Sequence, residues 1–118
     1  MPDSIDRLYA SVLAARAEGA EDSRTAKLMR DGVGKMAKKV AEEAVEVSLD
    51  AVAGNRDALV RESADLIYNL AVLWAATGIT PAEVWAEMDR REKLYGIAEK
   101  LPKSGGAPLP GSAVAEPL

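Results

Sequence analysis

Five carboxylates carry the chemical promise of this chain: Glu42, Glu43 and Glu46 in the run EEAVE, and Glu62 and Asp65 in the run ESAD. On a helix, residues three apart share a face with Cβ atoms about 5–6 Å apart, so Glu43 pairs with Glu46 and Glu62 with Asp65. At about 100° per residue, with Val40 as zero, Glu43 falls roughly 60° and Glu46 roughly 120° to one side of the apolar stripe. With Leu59 as zero on the next helix, Glu62 and Asp65 fall at the same two offsets on the same side. Both pairs flank an apolar seam, so two packed helices could bring four carboxylates into one concave site. Without a cation such a site is unfavourable, since two carboxylates about 4 Å apart repel by roughly 4 kcal/mol at an effective dielectric of 20. A hard divalent ion reverses that sign. Mg²⁺ takes oxygen ligands at about 2.0–2.1 Å and keeps several waters, and the set could hold one ion, or two about 3.5–4 Å apart. The competing reading is ordinary solvated helix surface, on which E-x-x-E spacing is common.

Two neighbours bear on the same chemistry. Lys39 stands one turn before Glu43 on the same side, where it could meet phosphate oxygens as a point charge or pair with Glu43 or Glu46. Asn69 stands one turn after Asp65, as a hydrogen-bonding partner of a water or substrate group, or as a satisfied interfacial amide. What the chain lacks narrows the field further. It has no histidine and no cysteine, which excludes Ser-His and Cys-His nucleophiles, imidazole or thiolate zinc sites, and disulfides. A formal charge of −4 offers no basic face for a nucleic-acid duplex. Clustered acid points to a hard cation instead.

The elements that must position these groups read as helices throughout. With 118 residues, 48% hydrophobic and 29% charged, the chain suits one small globular domain. No apolar run reaches the roughly 18 residues of a membrane span and no leader is recognisable, so a cytoplasmic protein without membrane contact is expected. The first helix should run from about Ser4 to Glu18, with Ile5, Leu8, Tyr9, Val12 and Leu13 as its stripe, Asp3 or Ser4 as cap and Gly19 as stop. A short second helix fits Arg24 to Asp31, capped by Ser23 and closed by Gly32. The third runs from about Lys35 to Val52 or Ala53, its stripe Met36, Val40, Ala44, Val47 and Ala51, with Gly54 ending it. The fourth starts at Asn55 and continues to Thr77, with Leu59, Ser63, Leu66, Leu70, Leu73 and Thr77 as its stripe, broadened by Ile67 and Trp74. Thr80-Pro81-Ala82-Glu83 opens a fifth to about Leu94, carrying Val84, Trp85 and Met88 inward.

A two- or three-residue turn joins the third and fourth helices, so they should form an antiparallel hairpin within a four-helix-bundle-like core. Val45 and Leu49 on one, and Ile67, Val72 and Trp74 on the other, lie beyond a single stripe. A domain this small cannot cover both faces of the hairpin alone, so a homo-oligomer sharing these helices is expected, a homodimer or homotetramer. From Pro102 the Pro/Gly/Ala-rich composition is that of a flexible tail, which divides the chain into a helical domain, 1–101, and a tail, 102–118.

EEAVE followed by ESAD resembles the EExxE…ExxD pattern of the all-α NTP pyrophosphatase superfamily. Over residues 5–100 the chain more specifically resembles its phosphoribosyl-ATP pyrophosphatase family. The passages DSRTAKLMRDG (22–32), KKVAEEAVEV (38–47), ESADLIYNLAVLWAATGITPAEVWAEM (62–88) and GIAEK (96–100) carry the resemblance. It implies Mg²⁺-dependent hydrolysis of phosphoribosyl-ATP to phosphoribosyl-AMP and pyrophosphate, a step of histidine biosynthesis, in a helical homo-oligomer, with Mn²⁺ as an alternative ion. Water would attack between the α and β phosphates while the cation steadies the leaving pyrophosphate. Carried over residue by residue, the metal ligands fall on Glu43, Glu46, Glu62 and Asp65. Glu42 and Glu43 are the catalytic carboxylates, Glu42 as an additional ligand or a water-orienting group. Lys39, Lys27 and Arg91 would contact phosphate, and Asn69 the substrate.

The departures fall around the acidic core. Arg24 stands where the family often has an aromatic, Ala41 where glycine is common, and Asn69 where a ring is expected. The stretches Glu92–Tyr95 and Leu101–Lys103 are also unusual. Two further functions therefore compete: a house-cleaning hydrolase of nucleoside triphosphates using the same ions and bond cleavage, and a catalytically silent helical dimerisation module.

Overall fold

The computed structural model describes residues 3–95. It is all-α: α1 (Ser4–Glu18), α2 (Arg24–Asp31), α3 (Val33–Ala53), α4 (Arg56–Thr77) and α5 (Pro81–Leu94), with no strand among the described residues. GIAEK, the domain boundary expected after residue 101 and the Pro/Gly/Ala-rich segment lie outside them. None of these helices is long and apolar enough to cross a membrane.

Local signals account for where the helices begin and end. Asp3 caps α1 in a capping box, its carboxylate accepting from the Asp6 amide at 2.8 Å. Ser23 caps α2, accepting from the Ala26 amide at 3.1 Å. Asn55 is the cap of α4 and not its first turn, its Oδ1 accepting from the Ala58 amide at 3.1 Å. At the α2–α3 junction a single residue does both jobs. Gly32, at φ +96°, ends one helix and starts the next, its N–H donating to Leu28 O at 3.2 Å and its carbonyl accepting from Met36 N at 3.1 Å. A side chain resists that positive φ, and glycine does not. The break therefore takes one residue, and α3 starts at Val33, two positions before the expected Lys35.

The chain divides into two compact units, one ending at Pro81 and one beginning at Ala82. In the first, α3 and α4 pack along each other as the expected hairpin across the Gly54–Asn55 turn, while α1 and α2 pack on it. Val12, Leu28, Met36, Val72 and Ala75 form the core, with Leu8, Tyr9, Leu13, Met29, Tyr68, Leu73 and Ala76 packed around it. Burying Val12 and Val72 contributes about 1.5–3 kcal/mol each. Two side chains of α1 hold the far end of α4: Tyr9 Oη donates to Ile79 O at 2.7 Å and Arg16 Nη1 to Ala75 O at 3.1 Å. The Arg16 bond adds a second donor to a last-turn carbonyl that the Gly78 amide reaches only at 3.4 Å, and the Tyr9 bond ties down the chain just past the helix end.

The inward face of α4 differs from the expected stripe. Ala58, Asn69, Val72 and Ala75 are buried with Ala71, whereas Leu59, Leu66, Leu70 and Leu73 are only half-buried and Thr77 is exposed. Small side chains allow the close approach of α1, α2 and α3, and the leucines lie to the side. Val72, expected on a second face, belongs to the core at 1% exposure. Val45, Leu49, Val52, Val60 and Ile67 are exposed, so the hairpin does carry a second apolar face. In the second unit, α5 keeps Val84 and Trp85 half-buried, while Met88, expected to turn inward, is exposed.

Candidate metal centre

Glu43 lies midway along α3, and Glu62 and Asp65 are one turn apart on α4. The antiparallel hairpin sets them opposite one another. Carboxylate oxygens of Glu43, Glu62 and Asp65 lie within 4.8 Å of each other. Glu43 is buried at 7% exposure, and its Oε2 has no hydrogen-bond partner. Such a group is unfavourable as an anion. Burial above all, then a hydrogen bond with Glu62 and the charges of Glu46, Glu62 and Asp65, push the Glu43 carboxyl up from 4.5 to about 7. Glu46 thus lies near enough to act on Glu43, yet it is exposed and outside the group of three.

The donor set fits a divalent cation. It is all oxygen and mostly anionic, it is drawn from two rigid helices, and it includes a buried acceptor that nothing in the protein satisfies. Hard cations prefer such ligands, and a positive charge placed here removes both the repulsion and the desolvation penalty that raise Glu43.

The other residues expected at the site have well-defined partners. Lys39 Nζ pairs with Glu42 Oε1 at 3.7 Å, and not with Glu43 or Glu46. Glu42 is exposed beside the cluster and not within it. Asn69 is buried at 1% exposure; its Nδ2 donates to Asp65 O at 2.8 Å, while its Oδ1 has no partner. A carbonyl accepts only from the amide nitrogen, so that bond fixes which way the Asn69 side chain faces. Lys27 pairs with Asp31 along α2 at 3.0 Å. Arg91 pairs with Glu87 within α5 at 3.0 Å, and Arg90 joins the same carboxylate at 2.9 Å. These two guanidinium groups lower the Glu87 carboxyl to about 2.

One constellation was not foreseen. Tyr68 follows Asp65 by three residues, its hydroxyl shares a hydrogen bond with Thr25 Oγ1 at 2.6 Å, and the Arg24 guanidinium lies 4.7 Å from its ring centroid. The spacing of Asp65 and Tyr68 on one helical face was the available signal. The contact with α2 had none, because it joins residues 43 positions apart.

The profile of the family described as phosphoribosyl-ATP pyrophosphohydrolase matches residues 7–92, a span that contains the whole acidic cluster. The chain belongs to this family. Phosphoribosyl-ATP pyrophosphatase 2 of Rhodopseudomonas palustris is 62% identical over 119 residues, covering 100% of this chain and 91% of the relative. The protein of the same name from Bradyrhizobium diazoefficiens is 64% identical over 104 residues, 88% of this chain and 78% of its own length. Phosphoribosyl-ATP pyrophosphatase of Azospirillum brasilense is 52% identical over 96 residues, with 81% and 86% covered. Membership of the phosphoribosyl-ATP pyrophosphohydrolase family gives the chain a reaction class, hydrolysis of a phosphoanhydride.

Proposed function

We propose that this chain hydrolyses phosphoribosyl-ATP to phosphoribosyl-AMP and pyrophosphate, the second step of histidine biosynthesis, with Mg²⁺ as cofactor and Mn²⁺ as a substitute. The observation that carries the chemistry is the group of Glu43, Glu62 and Asp65 with oxygens within 4.8 Å. The substrate rests on relatives that bear the enzyme's name and match over most of their own length.

In this reading Glu43, Glu62 and Asp65 hold the cation, with Glu46 completing the set from the exposed rim. A cation held there would supply Lewis-acid charge at the phosphates and favour ionisation of a nearby water close to neutral pH. Glu42, next to the cluster and open to solvent, orients the attacking water and accepts its proton. Lys39 is shared between Glu42 and the incoming phosphates. Lys27 adds a phosphate contact, and Asn69 offers its unpartnered Oδ1 to a donor on the substrate. No covalent intermediate is needed. The exposed face of Val45, Leu49, Val52, Val60 and Ile67 supports a homo-oligomer, a dimer or tetramer, in which a second copy covers it. A biosynthetic role fits a cytoplasmic location.

The deciding experiment is Mg²⁺-dependent pyrophosphate release from phosphoribosyl-ATP beside a panel of canonical and damaged nucleoside triphosphates. A strong preference for phosphoribosyl-ATP is expected. Preference for triphosphates would move the protein to a house-cleaning role. No turnover, with no Mg²⁺-induced rise in melting temperature, would leave only a silent helical module.

A further inference from the structure

Arg24, a departure from the family pattern on α2, makes a defined contact with α4. Its guanidinium sits 4.7 Å from the centre of the Tyr68 ring, and Thr25 fixes the hydroxyl of the same ring at 2.6 Å. Tyr68 in turn follows Asp65 by three residues, on the same side of α4, with Cβ atoms about 5–6 Å apart by helix geometry. The guanidinium is therefore held over a ring that rises one turn after Asp65 from the helix supplying two of the cluster's carboxylates. It nevertheless pairs with none of them. Lys27, Lys39, Arg90 and Arg91 are engaged in ion pairs with neighbouring carboxylates, whereas Arg24 faces a ring. Arg24 is also exposed, so its donors remain open to solvent.

Stacking leaves the edge of a guanidinium free, because the ring occupies its face while the N–H donors point outward in the plane. A planar fork of donors matches phosphate oxygens, two at a time. Had Arg24 reached the carboxylates it would have neutralised the place a cation should occupy.

We infer that Arg24, stacked on Tyr68, is a phosphate-contacting residue of this site and grips the polyphosphate chain of the nucleotide beside the metal centre. This rests on the reading of the cluster as a centre for phosphoanhydride hydrolysis. Tyr68 is a positioning residue for it, and Thr25 holds Tyr68.

The test is binding of inorganic pyrophosphate in the presence of Mg²⁺ by calorimetry, together with kinetics on the preferred nucleotide. It compares the full-length wild type with Arg24→Ala, Arg24→Lys and, as a control on the same helix, Arg30→Ala. Arg24→Ala should weaken pyrophosphate binding about tenfold or more and raise KM to a similar degree, with a smaller change in kcat. Arg24→Lys should recover part of the loss, since it keeps the charge and loses the fork. Its recovery also guards against a folding defect in the alanine variant. Arg30→Ala should behave as wild type. Affinity within about twofold of wild type in Arg24→Ala overturns the inference, as does an equal loss in Arg30→Ala, which would mean a diffuse field instead of a fixed contact. A wild type that binds no pyrophosphate with Mg²⁺ overturns it too. If the wild type binds pyrophosphate but prefers another nucleotide, only the assigned substrate fails, and Arg24 is still judged by the pyrophosphate affinities.

Discussion

Glu43 places an acid where an acid is hardest to keep ionised. Replacing it with glutamine removes the charge and keeps the shape, so Glu43→Gln should raise the melting temperature of the metal-free protein by several degrees. The same variant should lose most of the Mg²⁺-induced rise, and both effects can be read from one set of thermal melts with and without the ion. The pH dependence follows from the same group. Its folded value, about 7 against 4.5 unfolded, means that the folded state binds the proton more tightly. The associated stability is fully present below about pH 4.5 and is lost as the pH rises through about 7. The metal-free protein should therefore become less stable across that window, Mg²⁺ should offset the loss at its upper end, and Glu43→Gln should flatten the profile. At this scale the sequence was informative about which helices carry the acids and silent on which acid is buried and which are grouped. Helical spacing is common to Glu43 and Glu46, but only packing distinguishes them. Lys39 shows the same limit: its spacing permits Glu42, Glu43 or Glu46, and the observed partner is Glu42.

The helices themselves were legible because their ends are chemically marked. Gly19, Gly54 and Gly78 stop three of them at positive φ, and Asp3, Ser23 and Asn55 cap three starts. Asn55 opens the helix that carries Glu62 and Asp65, directly after the turn that sets the hairpin register. Asn55→Ala should destabilise the protein by about 1 kcal/mol, measured by urea unfolding, with little change in the slope of the transition. The face that α4 turns inward was not legible. Counting apolar residues selects the leucines, whereas burial selects Ala58, Asn69, Val72 and Ala75. Small residues carry a weak hydrophobic signal but permit close helix contact, and that requirement depends on the neighbouring helices.

For the molecule as a whole, the exposed side of the hairpin is the largest feature that one chain leaves unsettled. Leu49 is 63% and Val52 89% exposed, on a helix whose opposite side carries Met36 into the core. In the proposed homo-oligomer a second copy would cover this face. Introducing charge there, as Leu49→Lys with Val52→Lys, should yield a smaller species in sedimentation velocity than the wild type. Helix content by circular dichroism should be retained if the first unit's own core suffices for folding.

The grip of α1 on the end of α4 has a kinetic consequence. The α3–α4 hairpin closes across a tight turn, so its contacts are local and can form early. The bonds from Tyr9 and Arg16 join residues 70 and 59 positions apart and must await the approach of a distant segment. Contacts made after the rate-limiting barrier govern how fast the native state is lost and leave its rate of formation nearly untouched. Tyr9→Phe should therefore steepen the escape from the folded state by several-fold while refolding proceeds at close to the wild-type rate, a separation that stopped-flow chevrons resolve. The first helix would then be the part of this protein that sets its lifetime.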